Sequence, residues 1–167
     1  MILSTARLTL RLFTLADAPF ILELVNQPSW LRNIGDRNVH SLEDAVGYIT
    51  KGPMASYAEH GFGLWCAERS SDRIPIGMCG LLQRSYLDLP DIGFSYLERH
   101  QGQGYGKEAA AATLAYAHTT LGVPRIAAVI DPANTPSIRI VEGLGLRYVR
   151  PILMPGDTKE ISYYEEG

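Results

Sequence analysis

Hydrophobic and polar positions change period several times along the chain, and the changes mark out an order of strands and helices. Leu8-Thr9-Leu10-Arg11-Leu12-Phe13 alternates in the manner of a half-buried strand, and Thr14 then stands where it can cap a helix running to about Asn26. Ser41 and Asp44 have capping-box spacing, with Asp in place of the usual Glu or Gln. They predict a second helix ending near Gly52-Pro53, with a further turn or helix through His60. Between Phe62 and Leu97 the texture becomes β-rich, in the runs Gly63–Glu68, Ile76–Gln83 and Asp91–Leu97. Their connections, Ser70-Ser71-Asp72-Arg73 and Asp88-Leu89-Pro90, suit an antiparallel meander. Gly106 to Leu121 returns to helical spacing, with Ala110, Leu114, Ala117 and Leu121 on one face and alanines small enough to lie close to a sheet. The continuously apolar Ile126-Ala127-Ala128-Val129-Ile130 makes 125–131 a buried strand. Asn134–Gly143 reads as a short helix closed by Gly143-Leu144-Gly145, and 146–153 and 161–164 read as final strands.

No repeat, low-complexity tract or long linker divides this pattern, so the expectation is one mixed α/β (α+β) domain over residues 1–167. A chain of 167 residues with 46% hydrophobic content can bury a core of its own. Its net charge of −3 offers no electrostatic footprint for nucleic acid or anionic lipid, which leaves small molecules or a protein as partners, and a monomer or homodimer as the assembly. Cys66 and Cys79 lie in apolar strand-like runs, and with four scattered histidines they form no zinc spacing. They read as buried thiols of a reducing compartment, and no metal is expected. Residues 1–7 lack a basic, then apolar, leader and no run approaches a membrane span, so the expected location is the cytoplasm.

Chemistry concentrates at Gln101-Gly102-Gln103-Gly104-Tyr105-Gly106, which places three glycines between a strand ending near Leu97 and a helix beginning near Lys107. Such a turn can bring backbone N–H groups close to an anion at the positive end of a helix, so a phosphate-bearing cofactor fits there. A plain flexible connection has the same composition. A P-loop does not fit, because Gln101 replaces its first glycine and Glu108 its Ser or Thr. Gly104-Tyr105-Gly106-Lys107-Glu108-Ala109 does match the dinucleotide pattern GxGxxA, with Asp131 closing the next strand. The antiparallel texture before it, and the 36 residues left after Asp131, argue against that architecture.

Gln101-x-x-Gly104-x-Gly106, the preceding Asp91-Ile92-Gly93-Phe94-Ser95-Tyr96-Leu97, and the later Asn134-x-x-Ser137 with Gly143-Leu144-Gly145-Leu146 together resemble the GNAT acetyltransferase superfamily. The opening Thr5-Ala6-Arg7-Leu8-Thr9-Leu10-Arg11 is similar to the RimJ/RimL type, whose members acetylate the N-termini of ribosomal proteins. The resemblance implies a strongly twisted mixed sheet flanked by helices, with two splayed central strands admitting the pantetheine arm of acetyl-CoA. It also implies transfer of the acetyl group to a primary amine, on a protein N-terminus or a small molecule. Phe94, Tyr96, Leu97, Gln101, Gly102, Gln103, Gly104, Tyr105, Gly106, Lys107, Asn134 and Ser137 are the cofactor-binding positions it marks. Two departures stand out: Val141 occupies the position of a tyrosine that many members use as the acid for the thiolate, and Leu146 follows Gly145 where phenylalanine is familiar.

Acetyl transfer requires a neutral amine, an oxyanion donor and a proton for the departing sulfur. Asp91 is the candidate base, although an aspartate after Pro90 is also an ordinary strand start. Ser137 is the candidate acid and equally a helix-capping residue, and Asn134 can hold pantetheine or simply begin a helix. The oxyanion donor is assigned to strand backbone near Phe94–Leu97. Trp30-Leu31-Arg32-Asn33 falls in the family's acceptor-covering segment. Trp65 and Tyr86 read as core or rim aromatics, and His60, His100 and His118 have no visible partners. A silent acyl-CoA-binding sensor and a dinucleotide-binding protein remain as alternatives.

Overall fold

The computed structural model describes residues 1–167. Eight strands form one sheet in the order β1-β2-β3-β4-β5-β6-β8-β7. They are β1 (Leu3–Ser4), β2 (Leu8–Arg11), β3 (Leu64–Arg69), β4 (Ile74–Leu82), β5 (Asp91–Tyr96), β6 (Ala127–Ile130), β7 (Leu146–Leu153) and β8 (Glu160–Glu166). Six helices accompany them: α1 (Ala18–Leu24), α2 (Pro28–Asn33), α3 (Leu42–Ile49), α4 (Ala55–His60), α5 (Tyr105–Thr119) and α6 (Thr135–Gly143). The expected meander is present as β3-β4-β5, and every neighbouring pair is antiparallel except β5 and β6.

Side-chain alternation builds a core on each face of the sheet. Trp65 and Ala67 of β3 join Ala109, Ala110 and Ala117 of α5 on one side, whereas Cys66 meets Ile21 of α1 and Ile49 of α3 on the other. The three α5 alanines are fully buried, and their small size lets this helix lie against β4 and β5. Both cysteines are free and buried, and burial pushes each thiol up to about 12. No helix is long and apolar enough to cross a membrane.

The parallel pair β5 and β6 is joined only at its start. Asp91 stands opposite Ala127, whose N–H donates to the Pro90 carbonyl at 2.9 Å, and beyond that point the ladder stops while β5 remains paired to β4 as far as Tyr96. These are the two strands expected to splay. Their separation leaves one edge of β5 without a strand partner, which is where the cleft described below opens.

Three local features differ from the sequence reading. β1 is a two-residue strand pairing Leu3 with Leu10, too short to show a period. α2 begins at Pro28, two residues before the covering segment 30–33, for which the sequence predicts no helix. The chain does not leave the helix at Gly52-Pro53: a π turn over Thr50–Met54 carries α3 into α4, which ends at Gly61 with φ +76°. The wider turn moves the preceding carbonyls away from the Pro53 ring, so a residue that breaks an α turn is accommodated. Half of the expected Ser41 capping box forms: the Asp44 N–H donates to Ser41 Oγ at 3.0 Å, whereas the Asp44 carboxylate accepts from the His40 N–H, one residue before the cap, also at 3.0 Å.

Candidate functional site

Three glycines at the end of β5 serve two different ends. Gly102 and Gly104 have φ of +75° and +85°, the left-handed region where a Cβ is strained. Gly104 caps α5, so the first N–H groups of that helix have no partner within it and point outward. Gly106 lies inside α5, and a Cβ there would stand 3.0 Å from Ile140 Cδ1 and 3.5 Å from Tyr96 Cε2. Its role is therefore to let α5 approach α6 and β5. Gln101 folds back on the strand, its Nε2 donating to the Tyr96 carbonyl at 2.9 Å.

The segment before β2 clasps this turn from behind. Glu108, in the first turn of α5, accepts from the Thr5 hydroxyl, from the Arg7 backbone N–H at 2.9 Å and from Arg7 Nε at 2.8 Å. Arg7 Nη1 donates to the Gln103 carbonyl at 2.9 Å, and its guanidinium lies 4.3 Å from the centre of the Tyr105 ring. Residues a hundred positions apart thus hold the glycine turn in one conformation.

A cavity of about 400 Å³ is lined by Gln101, Gly102, Gly104, Tyr105, Gly106 and Lys107 of the turn, by Phe94, Ser95 and Tyr96 of β5, and by Asn134 and Ser137 at the start of α6. A second, of about 380 Å³, lies between Asp91–Ser95 of β5 and Val129–Asp131, and Trp30, Asn33, Arg37 and Tyr48 close it from the opposite side. Phe94, Ser95, Asn134, Ser137 and Trp30 line both. The two are halves of one cleft whose waist is the point where β5 and β6 part.

Asp91 faces the second half and is almost fully buried. Arg84 Nε donates to both of its carboxylate oxygens, at 3.1 and 3.2 Å, and Arg84 Nη1 donates to the Tyr86 hydroxyl at 3.1 Å. Burial outweighs the guanidinium and raises the Asp91 carboxyl to about 6. Asp131, also in the wall, is pushed up by burial, but Lys159 and the Ala133 N–H together hold it below the usual range.

At the waist, Asn134 caps α6: its Oδ1 accepts from the Ser137 N–H at 3.4 Å, which leaves its amide N–H groups free. Ser137 is half-buried and its hydroxyl forms no hydrogen bond within the protein. Trp30 Nε1 is buried without a partner.

Two of the marked positions are not in the cleft wall. Leu97 turns into the core beneath α1 and α3, because alternation along β5 sends it to the opposite face. Gln103 contributes a carbonyl to Arg7 and an amide to the Arg99 carbonyl, at 3.4 Å. Val141 is fully buried in the core with α5. His118, read as having no partner, contacts the Val123 carbonyl at 2.7 Å and Glu166 at 3.0 Å. Trp65 is a core residue, edge-on to Tyr116 at 5.7 Å. Tyr86 instead belongs to the Asp91 cluster. Arg84, Arg37 and Tyr48 were missed, and no local spacing signals them; Arg7 was visible only as part of the opening resemblance.

A family model described as the acetyltransferase (GNAT) domain matches residues 7–147. The chain belongs to the GNAT acetyltransferase family. It is 30% identical over 149 residues to the uncharacterized N-acetyltransferase YoaA of Bacillus subtilis, covering 87% of this chain and 82% of that protein. It is 36% identical over 108 residues to YkkB of Bacillus subtilis, where the match covers 64% of this chain and 62% of that protein. Among solved structures, an acetyltransferase from Agrobacterium tumefaciens superposes with a TM-score of 0.82 at 26% identity, over 99% of this chain and 93% of that one. RimL, a ribosomal L7/L12 alpha-N-protein acetyltransferase solved in complex with coenzyme A, shares the fold with a TM-score of 0.83 at 16% identity, over 99% and 96% of the two chains. GNAT membership and a sheet with one parallel pair replace the dinucleotide alternative, which needs a series of parallel βαβ units.

Proposed function

We propose that this GNAT protein transfers the acetyl group of acetyl-CoA to a primary amine within the single cleft between β5 and β6. The observation that carries the reading is the shared waist. A cavity bounded by a glycine turn at a helix start opens, through the gap between the two strands, onto a second cavity holding a buried carboxylate. In this reading the pyrophosphate lies on the N–H groups at Gly104–Gly106, with Lys107 adding positive charge. The pantetheine arm takes the unpaired edge of β5 in place of a strand, and the Asn134 amide donates to it. Backbone N–H groups of β5 facing the gap stabilise the oxyanion. Asp91 accepts the amine proton, directly or through a water, and Ser137 supplies a proton to the departing thiolate, a role that Val141 cannot fill.

Ligand-dependent stability tests the cofactor half. Acetyl-CoA at a hundred times its Kd adds about 2.7 kcal/mol, which raises Tm by about 5–10 °C for a protein of this size. NAD at the same concentration is expected to give no rise. A rise with NAD and none with acetyl-CoA would overturn the assignment.

A further inference from the structure

The charged side chains lining the acceptor half sum to zero, but Lys159 pairs with one of its carboxylates from outside, which leaves one lining guanidinium unmatched. Four charged side chains line it: Arg37, Arg84, Asp91 and Asp131. Asp91 is matched by Arg84, and Asp131 by Lys159. Arg37 forms neither an ion pair nor a side-chain hydrogen bond, and it reaches the wall from the loop after α2. Arg84 spends Nε on Asp91 and Nη1 on Tyr86, which leaves Nη2 without an acceptor. Arg37, Arg84 and the half-buried Tyr48 line the same cavity, and burial pushes the Tyr48 phenol up while the two guanidiniums offset part of that push.

We infer that Arg37, with the free donors of Arg84 and the Tyr48 hydroxyl, forms an anion subsite beside Asp91, and that the acceptor is a small zwitterionic amine of the α-amino acid class. The inference rests on the transferase reading of this cleft. The same cavity wall carries the Asp91 carboxylate and the Arg84 and Arg37 guanidiniums, both signs of charge that the ammonium and carboxylate of an α-amino acid would need. A planar guanidinium recognises a carboxylate through paired N–H donors. The apolar wall of Leu64, Met78 and Leu82 takes the side chain. A polyamine has no group for Arg37 and would bring cations to it, and a peptide N-terminus offers an uncharged carbonyl where the carboxylate belongs.

The test measures acetyl-CoA-dependent thiol release with each L-α-amino acid, its amide, spermidine and a free-N-terminal hexapeptide. For at least one amino acid, kcat/KM is expected to exceed that of its amide by about tenfold or more, as for a hydrogen-bonded charge pair. Arg37→Ala is expected to raise KM for the acid by about 10–100-fold, to leave KM for acetyl-CoA unchanged and to abolish the preference over the amide, with Arg37→Lys restoring part of it. Equal or better turnover of amides, spermidine or the peptide overturns the inference, as does an Arg37→Ala effect equal for acid and amide. Should acetyl-CoA bind and no amine be acetylated, the transferase reading fails. Calorimetry of the same amino acids and amides against coenzyme-A-saturated protein then decides the subsite, and absence of a carboxylate preference there overturns it.

Discussion

Gly104→Val is expected to weaken acetyl-CoA binding by about 100-fold or more while leaving a folded protein. The position has φ +85°, and the nearest atom to an added Cβ is Arg7 Nη2 at 3.3 Å. A β-branched residue there costs about 1–2 kcal/mol of backbone strain, and more if Arg7 is displaced. That is a modest part of the stability of an ordinary domain. Binding suffers more, because a turn that leaves the left-handed conformation no longer aims the N–H groups at Gly104–Gly106. Each hydrogen bond to a charged group is worth about 1.5–3 kcal/mol, so two of them account for a factor above a hundred. The expected harm comes from the turn's conformation and from the Arg7 clasp. Gly104→Asn separates the two effects, since asparagine enters the left-handed region at lower cost and should keep more of the affinity. Calorimetry with denaturation of the same samples checks this, and a folded valine variant with wild-type affinity would remove the glycine turn from the pyrophosphate site.

Asp91→Asn is expected to lower kcat/KM by about 10²–10⁴-fold and to flatten the acidic limb of the pH profile. A carboxyl at about 6 is protonated, and useless as a base, below that pH. Wild-type activity attributable to it therefore rises as pH increases through about 6 and then levels. The sign for stability is opposite. Because the folded-state value lies above the ordinary 3.8, the folded protein holds this proton more tightly than the unfolded chain, so the contribution is full at low pH and is lost as pH rises through about 6. Ser137→Ala should fail differently, with reduced turnover across the profile and unchanged acetyl-CoA affinity. An Asp91→Asn enzyme that keeps the wild-type limb would assign the amine proton to another group or to solvent.

Most of the element order was legible, because the β-rich runs that became β3, β4 and β5 are separated by short turn segments and the alanine face of α5 repeats at helical spacing. What escaped was too short or broke a local rule. β1 has two residues, α2 has six, and Pro53 is tolerated by a π turn that no propensity announces. The glycine turn was visible as a cluster, yet the separate reason for Gly106 lies in Ile140 on another helix. Asp91 could be singled out at a strand start, whereas Arg84, with Tyr86 bonded to it, meets Asp91 only because the β4–β5 connection folds back. The same holds for Arg7 with Glu108, and for Arg37 with Tyr48, whose proximity comes from packing of the loop after α2 against α3. Chemistry that one strand or turn holds by itself can be seen in sequence; chemistry assembled across elements cannot.

The most direct test follows free thiol and acetylated amine together, with purified protein, acetyl-CoA and amines of several classes. Thiol release that depends on an amine, matched mole for mole by acetylated amine in mass spectrometry, is the result predicted for the cleft between β5 and β6. Saturable acetyl-CoA binding without amine-dependent release for any class would contradict it and mark the protein as an acyl-CoA sensor.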